Sequence, residues 1–120
     1  MQRILAVDDS VSMRQMVAFT LKAAGFDVAE AEDGAVALDL ARKEKFKLVL
    51  VDVNMPNMDG MALIRALRAE ADYKFTPLLM LTTEAAADRK QVGKAAGATG
   101  WIVKPFNPEQ LVATVKRVLG

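Results

Sequence analysis

Three aspartates stand directly after short apolar stretches of this chain, where buried strands are expected to end. Asp8 and Asp9 follow the first of these stretches, and Asp52 follows a later one. If the two stretches form neighbouring strands, the three carboxylates converge and repel one another unless a cation is bound between them. Because the chain contains no histidine and no cysteine, a site made of oxygen ligands favours a hard ion such as Mg²⁺.

Two more apolar stretches are followed by groups that complement such a site. Thr82 offers a hydroxyl, and Lys104 offers a movable positive charge. A carboxylate beside Mg²⁺, an ammonium and a hydroxyl has the parts needed for phosphoryl transfer onto aspartate. The carboxylate oxygen is the nucleophile in this reaction, while the metal and the ammonium neutralise the charge that spreads over the transferred group.

The apolar residues alternate along the chain between two spacings, which predicts strands separated by helices. Continuously apolar stretches are typical of parallel strands that are buried on both faces. A further stretch at 28–31 is less apolar and is expected to lie at an edge of the sheet. The other predicted strands span residues 4–7, 48–51, 78–81 and 101–103.

Capping residues and stop signals predict five helices. Ser12 and Gln15 form a capping box for the first helix, and Gly25 stops it. Asn107 caps the last helix, and Pro108 takes its first position. The three helices between them are predicted at 34–44, 60–71 and 86–96, and the helix at 86–96 should be the loosest element of the fold.

Strands that alternate with helices imply right-handed crossovers and a doubly wound α/β fold, with a five-stranded parallel sheet and five helices on its two faces. We expect one domain that covers residues 1–120. Ligands bind beyond the carboxyl ends of the strands in such sheets, which is where the polar residues described above are predicted to lie.

Composition and charge exclude several classes of protein. Hydrophobic residues make up 52% of the chain and charged residues 26%, which rules out intrinsic disorder. The apolar stretches are far shorter than the roughly 20 residues needed to cross a bilayer, so we expect a soluble protein without membrane contact. The apolar stretch before Asp8 is too short for a signal-peptide core, so we expect a cytoplasmic protein. A formal net charge of +1 is too small for direct binding to nucleic acid.

The candidate residues stand within motifs that resemble those of a known family. The motifs are VDDS (7–10), LVDVNMP (50–56), MDG (58–60), LT (81–82) and VKPF (103–106). In this order and at these intervals they resemble CheY-like receiver domains of two-component signalling, specifically single-domain response regulators of the chemotaxis type. The resemblance implies a flavodoxin-like fold with strand order 2-1-3-4-5.

The same resemblance implies a metal and a phosphoacceptor. Asp52 would accept the phosphoryl group, and Asp8 and Asp9 would hold Mg²⁺ together with it. The backbone carbonyl of Asn54 would be a further metal ligand. Such a domain catalyses only its own phosphorylation and dephosphorylation, so we do not expect this protein to be an enzyme that acts on other substrates.

Five residues receive further roles from the resemblance. Thr82 and Lys104 would contact the phosphoryl group, and Thr82 would move toward it as Trp101 turns inward. Asn54 and Glu84 occupy positions that tune how fast the aspartyl phosphate is hydrolysed.

Partners are implied as well. A chemotaxis-type histidine kinase would be the phosphodonor. Phosphorylation would change the surface of the fourth predicted helix, the fifth strand and the fifth helix, which would then bind a target such as the flagellar motor switch. A phosphatase is a further implied partner, and we expect the protein to be a monomer.

The sequence also bears on other functions. A phosphate shuttle or sink in a phosphorelay uses the same chemistry and stays open. An aspartate-nucleophile phosphatase needs a second acid two residues after its nucleophile, where this chain has Asn54. A flavin or nucleotide binder needs glycine in the turn after the first strand, which here reads DDSVS. An inactive interaction domain would lack one of the acids or the lysine.

Overall fold

The computed structural model describes residues 2–52, 60–82, 97–103 and 106–119 of the chain. This part contains a parallel sheet with the strand order β2-β1-β3-β4-β5, which confirms the predicted order and the edge position of the second strand. The strands are β1 (Arg3–Val7), β2 (Asp27–Ala31), β3 (Leu48–Asp52), β4 (Leu78–Thr82) and β5 (Gly100–Val103). The helices are α1 (Val11–Ala23), α2 (Gly34–Lys43), α3 (Gly60–Arg68), a short 3-10 helix (Ala71–Tyr73) and the C-terminal helix (Pro108–Leu119).

Helices cover the sheet in two pairs. α2 packs beside α3 on one face, and α1 packs beside the C-terminal helix on the other. Successive side chains of a strand point to opposite faces. Leu5 and Val7 of β1 therefore join the core under α2 and α3, while Ile4 and Ala6 join the core under α1 and the C-terminal helix. The central strand β3 is buried along its whole length, as its apolar sequence predicts.

The start of α1 corrects one prediction. Ser10, and not Ser12, caps this helix, because its hydroxyl accepts a hydrogen bond of 3.3 Å from the amide of Met13. The chain turns immediately after β1, where the Asp8 carboxylate accepts a hydrogen bond of 2.9 Å from the amide of Ser10. This tight turn lets the helix begin at Val11, before the predicted cap is reached.

The predicted stop of α1 is confirmed at Gly25. Its φ is +99°, a conformation that favours glycine. The Gly25 amide donates to the carbonyl oxygen of Lys22, and the Phe26 amide donates to that of Leu21, both at 3.0 Å. These two bonds form a Schellman motif, which satisfies carbonyl groups that the helix end would otherwise leave unpaired.

The capping box of the C-terminal helix is confirmed as well. The Gln110 amide donates to the Asn107 side chain at 2.7 Å, and the Asn107 amide donates to the Gln110 side chain at 3.1 Å. In contrast, α3 ends at Arg68, three residues before the predicted end at residue 71. The chain continues there into the short 3-10 helix, whose last residue, Tyr73, is buried in the core.

The fourth predicted helix, at 86–96, lies outside the described residues. Among the helices that are described, none combines the length and the apolar character of a membrane-spanning segment.

Candidate functional site

The sheet register brings two of the predicted site residues together. β1 and β3 are neighbours, and Val7 is paired with Val51. Asp8, directly after β1, and Asp52, the last residue of β3, therefore lie side by side. Both are almost completely buried, with exposed fractions of 2% and 4%. Asp8 and Asp52 are far apart in the sequence and lie close together because β1 and β3 are neighbouring strands. The pattern of apolar residues does not reveal that these two strands are neighbours.

A third carboxylate completes this acidic cluster. One oxygen from each of Asp8, Asp9 and Asp52 lies within 4.8 Å of the other two. Asp9 is exposed, so the cluster is open to solvent on its side. Negative charges this close repel one another, and a cation bound between them relieves that repulsion. Hard oxygen donors with one open side fit Mg²⁺, which keeps several of its waters when it binds to protein.

Backbone contacts hold Asp8 in this position. Its amide donates a hydrogen bond of 3.1 Å to the carbonyl oxygen of Ala31 in β2. Its own carbonyl oxygen accepts a hydrogen bond of 2.9 Å from Nη1 of Arg14. Arg14 was not among the residues predicted from the sequence. Its one sequence signal is a positive charge in the first turn of a helix, where the helix dipole disfavours it.

Four other predicted site residues lie partly or wholly outside the described part of the chain. The backbone of Thr82 ends β4 and is paired with Val103 of β5, at the same edge of the sheet as the acidic cluster. The side chain of Thr82 is outside the described residues, as are Asn54, Glu84 and Lys104. Their roles therefore stay predictions.

Trp101 lies on β5, an edge strand of the sheet. Its side chain is about two-fifths exposed, with a value of 39%. Together with Gln110, Thr114 and Arg117 of the C-terminal helix, it lines an open groove of about 450 Å³. The ring is therefore partly exposed beside the C-terminal helix, on the surface that the sequence analysis predicts to bind a target.

Comparison with known proteins agrees with this geometry. The response regulator receiver domain family matches residues 4–116. A chemotaxis protein CheY homolog of Campylobacter jejuni is 42% identical over 98% of this chain and 92% of its own length. The chemotaxis protein CheY of Pseudomonas aeruginosa is 38% identical over 97% of this chain and 94% of its own length.

A solved structure shows the same likeness in three dimensions. The Vibrio cholerae chemotaxis protein CheY4 is 56% identical to this chain, with a TM-score of 0.96 and coverage of 98% of both chains. The sheet order, the acidic cluster beyond β1 and β3 and these similarities lead to one assignment. The chain belongs to the response regulator receiver domain family, and within it to the CheY type of two-component signalling protein.

Proposed function

We propose that residues 1–120 form one receiver domain, which accepts a phosphoryl group on Asp52 in the presence of Mg²⁺. The observation that supports this most strongly is the convergence of three carboxylates within 4.8 Å at the carboxyl edge of the sheet. Asp8 already uses one carboxylate oxygen to accept from the Ser10 amide. Asp52 stands at the end of the central strand, which places it between Asp8 and β4.

The proposed reaction is a transfer from a phosphorylated histidine of the kinase. A carboxylate oxygen of Asp52 forms a bond to phosphorus, the bond between phosphorus and the histidine nitrogen breaks, and that nitrogen takes up a proton. Asp8 and Asp9 would hold Mg²⁺ beside Asp52, with the backbone carbonyl of Asn54 as a further ligand. When bound, the metal supplies positive charge that offsets the charge on the transferred group.

The other predicted residues complete the proposal. The ammonium of Lys104 and the hydroxyl of Thr82 would contact phosphoryl oxygens and stabilise the phosphorylated state. Asn54 and Glu84 would set how readily water reaches the aspartyl phosphate and hydrolyses it. Trp101 would change its orientation when Thr82 moves toward the phosphoryl group.

The proposed partners follow from the CheY-type relatives. Receiver domains of this type work with a histidine kinase and a downstream target. We propose a chemotaxis kinase as donor, the flagellar motor switch as target, and a phosphatase that shortens the signal. The name "chemotaxis protein", carried by the relatives from Campylobacter jejuni and Pseudomonas aeruginosa, supports this choice. A cytoplasmic monomer suits such a role.

Labelling with a small phosphodonor tests the proposal. Wild-type protein incubated with acetyl phosphate and Mg²⁺ should gain the mass of one phosphoryl group, and Asp52→Asn should gain none. Asp39→Asn is the matched control, because Asp39 is an exposed aspartate of α2 with a surface ion pair to Lys43. Labelling of Asp52→Asn at the wild-type level would refute Asp52 as the acceptor.

A further inference from the structure

Arg14 and Glu30 form an ion pair beside the acidic cluster. Arg14 lies in the first turn of α1 and Glu30 lies on β2. Nε of Arg14 is 3.2 Å from Oε1 of Glu30, and the two side chains are 15% and 32% exposed. Arg14 is therefore largely shielded from solvent, although Glu30 is exposed, whereas in the pair between Arg42 and Glu70 the Arg42 side chain is 60% exposed.

The same arginine also holds the turn that carries the acids. Nη1 of Arg14 donates to the carbonyl oxygen of Asp8 at 2.9 Å, while the Asp8 amide donates to Ala31 of β2. Glu30 and Ala31 are adjacent in the chain. Two neighbouring residues of the edge strand thus restrain Asp8, one directly and one through Arg14.

This restraint acts on Asp9 as well as on Asp8. The peptide unit between them is planar, so a fixed carbonyl of Asp8 fixes the plane from which Asp9 continues. That carbonyl lies just beyond the last residue of β1, Val7. A polar backbone group in a partly buried position needs a hydrogen-bond partner, and Arg14 provides one that is charged and directional.

Electrostatics alone would argue against an arginine here. A positive charge in the first turn of a helix opposes the helix dipole, and a positive charge near a cation site repels the cation. Glu30 offsets this charge while it orients the guanidinium. A residue that breaks a local preference beside a candidate site is expected to serve that site.

We infer that Arg14 and Glu30 are a positioning pair for the proposed Mg²⁺ site, holding the turn that presents Asp8 and Asp9. The inference rests on the proposed function, since it concerns the metal of the same site. Partners of this kind, which orient ligands without touching the metal, commonly change metal affinity on the order of tenfold or more when they are removed.

Two substitutions separate positioning from charge. Arg14→Lys keeps the positive charge, but one ammonium cannot reproduce the two directed contacts of the guanidinium. Arg14→Met removes both the charge and the contacts. If Arg14 positions the turn, both variants bind Mg²⁺ more weakly than wild type, by on the order of tenfold. If it acts only through charge, Arg14→Lys binds like wild type and Arg14→Met binds more tightly.

The measurement is Mg²⁺ affinity by isothermal titration calorimetry on the full chain, with thermal unfolding of the metal-free variants as a check of folding. Arg42→Met is the control, because it removes an arginine from an ion pair of 2.6 Å that lies away from the acidic cluster. If Arg14→Met does not fold, Arg14→Lys carries the test.

The outcomes distinguish this inference from the proposed function. Weaker binding by Arg14→Lys, with Arg42→Met unchanged, supports the positioning pair. Unchanged affinity of Arg14→Lys overturns it and leaves the metal site intact. Absence of Mg²⁺ binding by the wild type overturns the proposed function itself.

Discussion

The guanidinium of Arg68 lies against the backbone of Gly97, to whose carbonyl oxygen its Nε donates a hydrogen bond of 2.8 Å. Nη1 donates to the carbonyl oxygens of Tyr73 at 2.7 Å and Thr76 at 2.6 Å. Nη2 donates to the hydroxyl of Thr99 at 3.2 Å. Because Thr76 stands before β4 and Gly97 and Thr99 stand before β5, one side chain at the end of α3 ties together the approaches to two strands.

Removal of this side chain should destabilise the fold. Arg68→Met leaves several backbone carbonyl groups without their donor, so we expect the free energy of unfolding to fall by about 2–3 kcal/mol. Urea unfolding measures the change. Arg65→Met is the control, because Arg65 lies on the same helix and is exposed. Equal stability of the two variants would show that the Arg68 contacts contribute nothing.

Gly97 should tolerate alanine less well than Gly25 does. Both glycines have positive φ, +113° and +99°, so alanine strains the backbone at either position, by about 1–2 kcal/mol. A Cβ at Gly97 would also lie 2.7 Å from Cγ of Arg68, whereas a Cβ at Gly25 would meet nothing within 4 Å. Thermal unfolding of Gly97→Ala and Gly25→Ala measures the difference, and a larger loss at Gly25 would contradict the account.

Tyr73 should make stability depend on pH in the alkaline range. Its hydroxyl is 2.8 Å from the carbonyl oxygens of Ala41 and Glu44, and it accepts from the amide of Phe46 at 3.2 Å. Burial raises the pKa of the Tyr73 phenol above its ordinary value, and the neighbouring acids act in the same direction. The folded state therefore retains the phenol proton more strongly than the unfolded state does.

The sign of the effect follows from linkage. Because folding raises the pKa of Tyr73, its contribution to the free energy of unfolding is fully present at pH values below the unfolded-state pKa of about 10. This contribution is lost as the pH rises through the pKa of the folded state. The free energy of unfolding of Tyr73→Phe should not fall in this way at alkaline pH. Near neutral pH this variant should be less stable than the wild type by on the order of 1–2 kcal/mol. Urea unfolding of both proteins across this pH range gives the difference. Since Tyr73 is the sole tyrosine, an ordinary pKa in an absorbance titration would contradict the prediction.

Trp101 should report the change that phosphorylation makes. It is the sole tryptophan of the chain and is 39% exposed. Beryllofluoride, which mimics a phosphoryl group, should shift its fluorescence emission to shorter wavelength when Mg²⁺ is present, because the ring becomes less exposed. Asp52→Asn should show no shift. Unchanged emission of the wild type on binding of beryllofluoride would remove Trp101 from the switch.

Much of the fold could be predicted because a strand that is buried on both faces has a continuously apolar sequence. The apolar stretches located each strand to within one residue at either end. The lower apolar content of Val28 and its neighbours correctly indicated an edge strand, whereas the apolar stretch at 101–103 did not indicate that β5 lies at the other edge. Helix ends were harder to predict, since Ser10 and Ser12 are both suitable caps and the tight turn at Asp8 decides between them.

Some residues of the candidate site could be predicted from the sequence and others could not. Asp8, Asp9 and Asp52 could be chosen from the sequence because strand ends of a parallel sheet share an edge. Arg14 and Glu30 could not be chosen, because their contacts depend on the packing of α1 against β2, which no spacing along the chain reveals. The roles of Lys104, Asn54 and Glu84 remain predictions that rest on the family resemblance.

The central claim is that Asp8, Asp9 and Asp52 hold one Mg²⁺ ion between them. Calorimetric titration of the wild type, Asp9→Ala and Asp39→Ala with Mg²⁺ tests it most directly. We expect wild type and Asp39→Ala to bind one ion with the same affinity, and Asp9→Ala to lose most of that affinity. Binding by Asp9→Ala that is as tight as that of the wild type would contradict the claim.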